Sequence, residues 1–272
     1  VNTVTRLRHN APFFLLLTHV VLFFAFILAP IVIVVVISFS DQTYITFPIQ
    51  GVSLRWFRRI YEYRSFLDAF VVSLEIAALS AMCAAALGIP AALALARARG
   101  RLANAAMTLL LSPLSIPLIV LGFALLFYLS AIGFGVSFVS LLIAHSVVSL
   151  PYVVRTVAAV YRGMAPGLEE AAAVLGASRW RVFLYITLPL IRPGIFAGCL
   201  FAVLISVDNL PISYFFGSAS TNTLPVVMLS YLENQLDPTI AAVSTAQLVF
   251  AVGLLLIAEV VSGRRGVGSL VL

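Results

Sequence analysis

The amino-acid sequence predicts an all-α, polytopic membrane protein with six transmembrane helices. Hydrophobic residues make up 62% and charged residues 10% of the 272-residue chain, against roughly 45–50% and 25% in soluble domains. Six apolar stretches, at about 12–38, 69–96, 103–130, 136–161, 193–216 and 239–261, reach the roughly 20 residues needed to cross the hydrocarbon layer. All 16 basic residues are arginines, and with alternating spans they fall unequally on the two sides. Arg6, Arg8, Arg97, Arg99, Arg101, Arg155, Arg162, Arg179, Arg181, Arg192, Arg264 and Arg265 share one side, and only Arg55, Arg58, Arg59 and Arg64 occupy the other. The positive-inside rule makes the richer side cytoplasmic and places both termini there. The net charge of +6 thus follows from topology, and the expected partner is a lipid bilayer rather than nucleic acid.

In chain order, the first run is too long for the apolar part of a secretory signal, and no small-residue cleavage pattern precedes Ser38–Asp41. It is expected to be a retained anchor. The external segment "SLRWFRRIYEYRSFLDAF", 53–70, mixes aromatic residues and arginines at near-helical spacing. This suits a short helix at the membrane surface, serving either as a covering flap or in binding. The second span carries Glu75 near its external end, and structural pairing is its default role. "AIGFGVS" is a short turn between the third and fourth spans. His145, in the fourth, reads as a hydrogen-bonded core residue. Cys83 and Cys199 lie inside apolar runs, and neither suggests a disulfide or a zinc site. With no linker and no low-complexity segment, residues 1–272 are expected to form one domain.

Between the fourth and fifth spans lies a charged cytoplasmic stretch, about 163–192, containing "EEAAAVLGASRWRVFLYITLPLIRPG". Pro166 suits a first helical position, and Glu169 and Glu170 then sit where carboxylates favour the helix dipole. "EEAAAVL" propagates a helix until Gly176 offers a left-handed stop. Ser178 can cap a second helix, "RWRVFLYITL", which is expected to end at Pro189. The result is a helix, a corner and a second helix, with Ala171, Ala172 and Ala173 presenting a small-residue surface. Such a loop suits either packing beneath its own bundle or docking with another protein.

"EAAAVLGASRWRVFLYITLPLIRPGI" resembles the EAA loop of the membrane subunits of bacterial ABC importers, through Glu170, Ala171, Ala172, Gly176, Ile186, Leu188 and Pro189. The resemblance extends through "GVSLRWFRRI", "HSVVSLPYVVRTV" and "SVDNLPISYFFGSASTNTLPVVMLSYL", in which the chain is similar to permeases of the spermidine/putrescine type. Where such subunits often carry two adjacent acids, this sequence has Asp208 followed by Asn209. The resemblance implies a type I ABC importer permease fold in the bacterial inner membrane. It implies a second, non-identical permease subunit, two cytoplasmic ATPase subunits and a periplasmic substrate-binding protein. ATP and Mg would belong to the ATPase, and this chain would carry no cofactor. Glu169, Glu170, Ala171, Ala172, Gly176 and Arg179 would then couple the permease to the ATPase. One part of this reads from the residues directly: a Walker A loop ends in Lys, and the chain has no Lys, so it is not itself the ATPase.

Acids inside a span are costly, at roughly 2.5–3.5 kcal/mol on insertion scales, and usually face protein or water. Asp208 follows the apolar run of the fifth span and precedes Asn209, Pro211, Tyr214 and Phe215. A carboxylate beside aromatic faces attracts an ammonium group, so Asp208, Asn209, Tyr214 and Phe215 are candidate substrate-pathway residues. The plainer alternative is that Asp208 caps a helix broken at Pro211. The expected cargo is a small amino-group-bearing solute such as spermidine or putrescine, although an opine, 4-aminobutyrate or an aminophosphonate carries the same group. A second function class, a proton-coupled secondary transporter, would use Asp208, Glu75 and His145 as a relay. It leaves the EAA stretch idle, and six spans without an inverted half are short for it. An intramembrane hydrolase is excluded, because Ser146 and His145, adjacent on a helix, point in different directions.

Overall fold

A computed structural model describes residues 2–98, 100–165, 167–218 and 221–266, with side chains from residue 15 to 260. Arg99 and Pro166 lie outside the described residues, as do the side chains of Arg6, Arg8, Arg264 and Arg265. The described elements are α-helices with two tightened or widened turns. They are α1 (Asn2–Ser38), α2 (Arg55–Glu62), α3 (Arg64–Arg97), α4 (Arg101–Leu111) leading into a 3₁₀ turn (Ser112–Leu114), α5 (Leu118–Ala131), α6 (Phe138–Arg162), α7 (Leu168–Val174), α8 (Arg179–Val182) leading into a π turn (Phe183–Thr187), α9 (Leu188–Val207), α10 (Leu210–Phe216), α11 (Leu224–Asn234) and α12 (Thr239–Gly266).

Among the described residues, five helical stretches are long and apolar enough to cross a membrane: 15–38, 64–97, 138–162, 179–207 and 239–260. A sixth crossing exists if α4 and α5 count as one span, but the two meet at 104°. The straight third helix expected over 103–130 is therefore bent. Pro113 and Pro117 explain it: neither can donate to a continuing helix, and Pro117 takes an extended conformation (φ −55°, ψ 126°) before α5 begins.

Two further helix boundaries differ from expectation. The helix after Ser178 does not end at Pro189 but runs on to Val207. Just before the proline, the Leu188 N–H bonds to the Phe183 carbonyl five residues back. That widened turn absorbs the donor Pro189 lacks. Conversely, the expected fifth span over 193–216 breaks at Asp208 and Asn209, leaving α10 as a separate short helix.

The chain divides into two compact units, one formed by residues up to 63 with 231–250 and the other by 64–230 with 251 onward. In the first, Trp56 of α2 is buried and its Nε1 donates to the Ser40 carbonyl at 2.8 Å. The Arg55 guanidinium lies 4.3 Å from the indole centroid, a cation–π contact. Arg59 approaches Asp237 at 3.7 Å, and the Tyr231 hydroxyl donates to the same carboxylate at 2.9 Å. These bonds tie α2 to the rest of this unit.

In the second unit α3, α6 and α9 pack against one another around Ala81, Ala84, Val153, Val154, Val157 and Ile191. Close approach of α9 to α6 depends on Gly194 and Gly198, which form a G-x-x-x-G step. A Cβ on Gly198 would lie 2.9 Å from the Val153 Cα and would press closer still on the Thr156 Oγ1.

Candidate coupling and substrate-pathway sites

The segment from Leu168 to Arg179 folds as its residues predict. α7 carries Glu169 and Glu170 in its first turn. Gly176 follows with φ +84°, its N–H bonding to the Ala173 carbonyl and that of Ala177 to the Ala172 carbonyl, both at 3.0 Å. This pair of bonds is a Schellman motif, which needs a left-handed residue where Gly176 stands. The Ser178 hydroxyl then accepts from the Arg181 N–H and starts α8. Around this corner apolar side chains face outward: Val174 and Leu175 are each 87% exposed, and Trp180 is 66% exposed. Glu170, Ala171 and Arg179 are exposed with them.

Glu169 differs from its neighbour. Its Oε1 lies 2.7 Å from Arg97 Nη2 and accepts from the Thr187 hydroxyl at 2.5 Å; its Oε2 accepts from the Tyr161 hydroxyl at 2.9 Å. Arg97 Nε also donates to the Tyr161 oxygen at 2.9 Å. One carboxylate thus joins α7 to the C-terminal ends of α3 and α6 and to the π turn that feeds α9. Burial pushes the Glu169 carboxyl up, but the hydrogen bonds from Thr187, Arg97 and Tyr161 outweigh it and hold its pKa below the ordinary value. The two adjacent glutamates therefore divide between an inward anchor, Glu169, and an outward one, Glu170.

At the opposite end of α9, Asp208 is exposed and Asn209 is buried. The Asn209 Oδ1 accepts from the Ile212 N–H at 3.1 Å and caps α10. The cap at the break is thus Asn209, not Asp208. Tyr214 is 60% exposed, and its ring packs edge-on to that of Phe215 at 5.9 Å. Phe215 in turn meets Phe123 of α5 at 5.8 Å, and Phe123 meets Phe127 at 4.7 Å. Gly122 admits this arrangement, since a Cβ there would lie 2.9 Å from the Phe215 ring. Phe123 and Phe127 extend the row of rings begun by the expected residues Tyr214 and Phe215; their one signal in the sequence is i, i+4 spacing on a largely apolar helix.

His145 is 1% exposed and fully bonded: Nδ1 lies 2.7 Å from the Ser206 Oγ and Nε2 lies 3.0 Å from the Ser213 Oγ. It is a core residue, as expected. Neither Glu75, exposed on α3, nor Asp208 is among its hydrogen-bond partners, so the three groups of the relay alternative are not assembled. Among the described residues no hydrogen bond or ion pair fixes Glu75, and its expected structural pairing is not seen.

Comparisons with known proteins agree with this architecture. Residues 84–267 match the family described as binding-protein-dependent transport system inner membrane component. The chain is 30% identical over 253 residues to the spermidine/putrescine transport system permease protein PotC of Haemophilus influenzae, covering 93% of this chain and 98% of that one. It is 32% identical over 229 residues to the putrescine transport system permease protein PotI of Escherichia coli K12, with 82% and 81% coverage. A solved bacterial ABC transporter involved in import of the acidic polysaccharide alginate shares the fold, with a TM-score of 0.76 at 17% identity, over 97% of this chain and 99% of that one.

The family match and the relatives over most of the chain define a transport subunit rather than an enzyme. The chain belongs to the family of inner-membrane components of binding-protein-dependent transport systems, and it is the permease subunit of an ABC importer, with ATP hydrolysis on a separate subunit.

Proposed function

We propose that this permease imports a small cationic amine, most simply a polyamine such as putrescine or spermidine, released to it by a periplasmic binding protein. The observation that carries this reading is the exposed Asp208 carboxylate at a helix break, followed within two turns by the exposed Tyr214 ring and the row of Phe215, Phe123 and Phe127. A carboxylate supplies charge to an ammonium, and aromatic faces supply quadrupoles along which an amine moves without being held by a second full charge. The names of the relatives from Haemophilus influenzae and Escherichia coli support the same class. Asn209 serves this pathway by capping α10 and so shaping the break.

In this reading a second permease subunit, not identical to this one, faces the chain across the pathway, and both termini are cytoplasmic. Two ATPase subunits bind beneath, one of them on the Leu168–Arg179 corner. Glu170 and Arg179 give that contact its charges, Ala171 and Ala172 its close approach, and Val174, Leu175 and Trp180 its apolar area. Glu169 carries the motion inward to α3, α6 and α9. ATP and Mg act on the ATPase alone; residues 1–272 act as one transport domain.

Asp208→Asn tests the substrate class. Uptake of labelled putrescine or spermidine into vesicles should fall about tenfold, the effect of roughly 1.4 kcal/mol, while assembly with the ATPase is unchanged. Equal loss of uptake and assembly would return Asp208 to a structural role, and ATP-driven uptake of an anion but no amine would reject the cation reading.

Gly176→Val tests the corner. A β-branched residue at φ +84° costs about 1–2 kcal/mol at a site where nothing lies within 4 Å of the added Cβ. The variant should insert normally, yet bind its ATPase weakly in pull-down; Glu170→Lys should do the same without altering the backbone. Full uptake in both would show that the ATPase docks elsewhere.

A further inference from the structure

The helix break at Asp208 and Asn209 is held by more than its cap. Ser206 stands at the end of α9, before the break, and Ser213 stands on α10, after it; both are buried, and both bond the same imidazole. His145 belongs to α6, a third helix. Its Nδ1 at 2.7 Å and Nε2 at 3.0 Å from the two hydroxyls form a bridge across the interruption. Ser206 is tied in turn to Ser80 of α3, whose Oγ lies 3.2 Å away. Between the two bridged serines the remaining bonds are local ones, the Ile212 N–H to Asn209 Oδ1 and the Asn209 N–H to the Ser206 carbonyl at 3.4 Å among them. Asp208 (φ −103°, ψ 19°) and Asn209 (φ −87°, ψ 80°) are non-helical, and the Leu210 N–H bonds only two residues back, to the Asp208 carbonyl.

We propose that His145 is a positioning residue of the transport pathway: by clamping Ser206 and Ser213 to one rigid ring, it fixes the angle between α9 and α10 and so the direction in which the Asp208 carboxylate points. This rests on the reading of Asp208 as a pathway residue. Imidazole suits the task because its two nitrogens point in different directions from a flat, unbending ring. A serine or threonine at this position would present one oxygen and reach one helix. A neutral imidazole donates through one nitrogen and accepts through the other, so in that form the hydroxyls of Ser206 and Ser213 play opposite roles.

Stability and positioning are separable here, because replacing a hydrogen-bonded group and its partners together by apolar groups is nearly neutral for folding. The triple variant His145→Phe, Ser206→Ala, Ser213→Ala keeps an aromatic ring in the core and removes the clamp with both of its hydroxyls, while the Ser80 hydroxyl keeps its bond to the Ala77 carbonyl. The experiment compares it with wild type in three ways: melting temperature in detergent, uptake of labelled putrescine with the complete importer, and labelling of Asp208→Cys by a cationic thiosulfonate. The labelling uses chains in which Cys83 and Cys199 are serine.

The expected result is a near-normal melting temperature, a labelling rate changed severalfold, and uptake reduced about tenfold. Normal labelling and normal uptake at normal stability would overturn the proposal and leave His145 as core packing. If the wild-type importer carries no amine, the labelling rate alone decides, so failure of the substrate reading is told apart from failure of the clamp. Should the triple variant not accumulate, Ser206→Ala and Ser213→Ala each cut one end of the bridge. Each alone should then shift the labelling as far as both together, whereas additive shifts or none would overturn the clamp.

Discussion

Gly198→Ala is expected to destabilise the protein, and Gly198→Leu to abolish its accumulation in the membrane. The reason is local. α9 approaches α6 through Gly194 and Gly198, and even a methyl group at 198 would sit 2.9 Å from the Val153 Cα, a backbone atom that cannot rotate aside. The still closer approach to Thr156 Oγ1 adds a second clash, and that oxygen is already committed, at 2.9 Å, to the Tyr152 carbonyl. Overpacking of this kind costs about 1–3 kcal/mol for a small increment and more for a large one. The control lies in the same chain. A Cβ added at Gly253 of α12 would meet nothing within 4 Å, so Gly253→Ala should leave stability unchanged or raise it slightly, since alanine favours helix over glycine by about 1 kcal/mol. Thermal melting of the two alanine variants checks the opposite signs. Equal melting temperatures would mean that α6 and α9 do not pack this closely.

Glu169→Ala is expected to separate ATP hydrolysis from transport. The carboxylate joins three partners, Arg97, Tyr161 and Thr187, so its removal frees the α7 corner from α3, α6 and α9 together. Hydrogen bonds to a charged group contribute about 1.5–3 kcal/mol each at most. Arg97 is 46% exposed and Glu169 27% exposed, so water recovers part of that, and the net loss should be about 2 kcal/mol. The corner itself keeps Glu170, Gly176 and its exposed apolar side chains, so the ATPase still binds and still hydrolyses ATP, while amine uptake per ATP falls. Adding Arg97→Ala should cost less than Arg97→Ala does alone, because the shared ion pair is already gone and only the Arg97–Tyr161 contact is left to lose.

The same contact fixes a pH dependence. Because the folded-state pKa of Glu169 lies below its ordinary value of 4.5, the anchor contributes fully above about pH 4.5. Its contribution disappears as the pH falls through the lowered folded-state value. Acid sensitivity of coupling in the wild type, and its absence in Glu169→Gln, would be the signature; identical acid profiles would contradict it.

Much of this was legible in the residues because it depends on local chemistry. Gly176 and Ser178 specify a left-handed stop and a cap whatever surrounds them, and both appear where the pattern puts them. Helices that cross lipid announce themselves by length and apolarity, so α1, α3, α6, α9 and α12 follow from composition. Pro189 misled because proline's effect depends on the turn before it: the widening at Phe183–Thr187 is a tertiary adjustment with no signature in a string of apolar letters. Pro113 and Pro117 erred the other way, turning an apparently continuous run by 104°. In the candidate pathway, Asp208 stood out as an acid beside aromatics. The partners of Glu169 required knowing which residues from distant helices share a layer, whereas the cap at Asn209 is a local bond from the Ile212 N–H that competes with the equally plausible neighbouring Asp208. Arg97, Tyr161 and Thr187 are separated along the chain by 64 residues at the first step, and no periodicity connects them.

That the ATPase grips the Leu168–Arg179 corner is tested most directly by cross-linking. With Cys83 and Cys199 replaced by serine, Leu175→Cys in the assembled importer should form a cross-link to the ATPase subunit, at a yield that changes when ATP binds. A cysteine placed at Gly133, in the turn before α6, should form none. A cross-link at Gly133 as strong as that at Leu175, or none at Leu175 in a complex that still transports, would contradict the assignment.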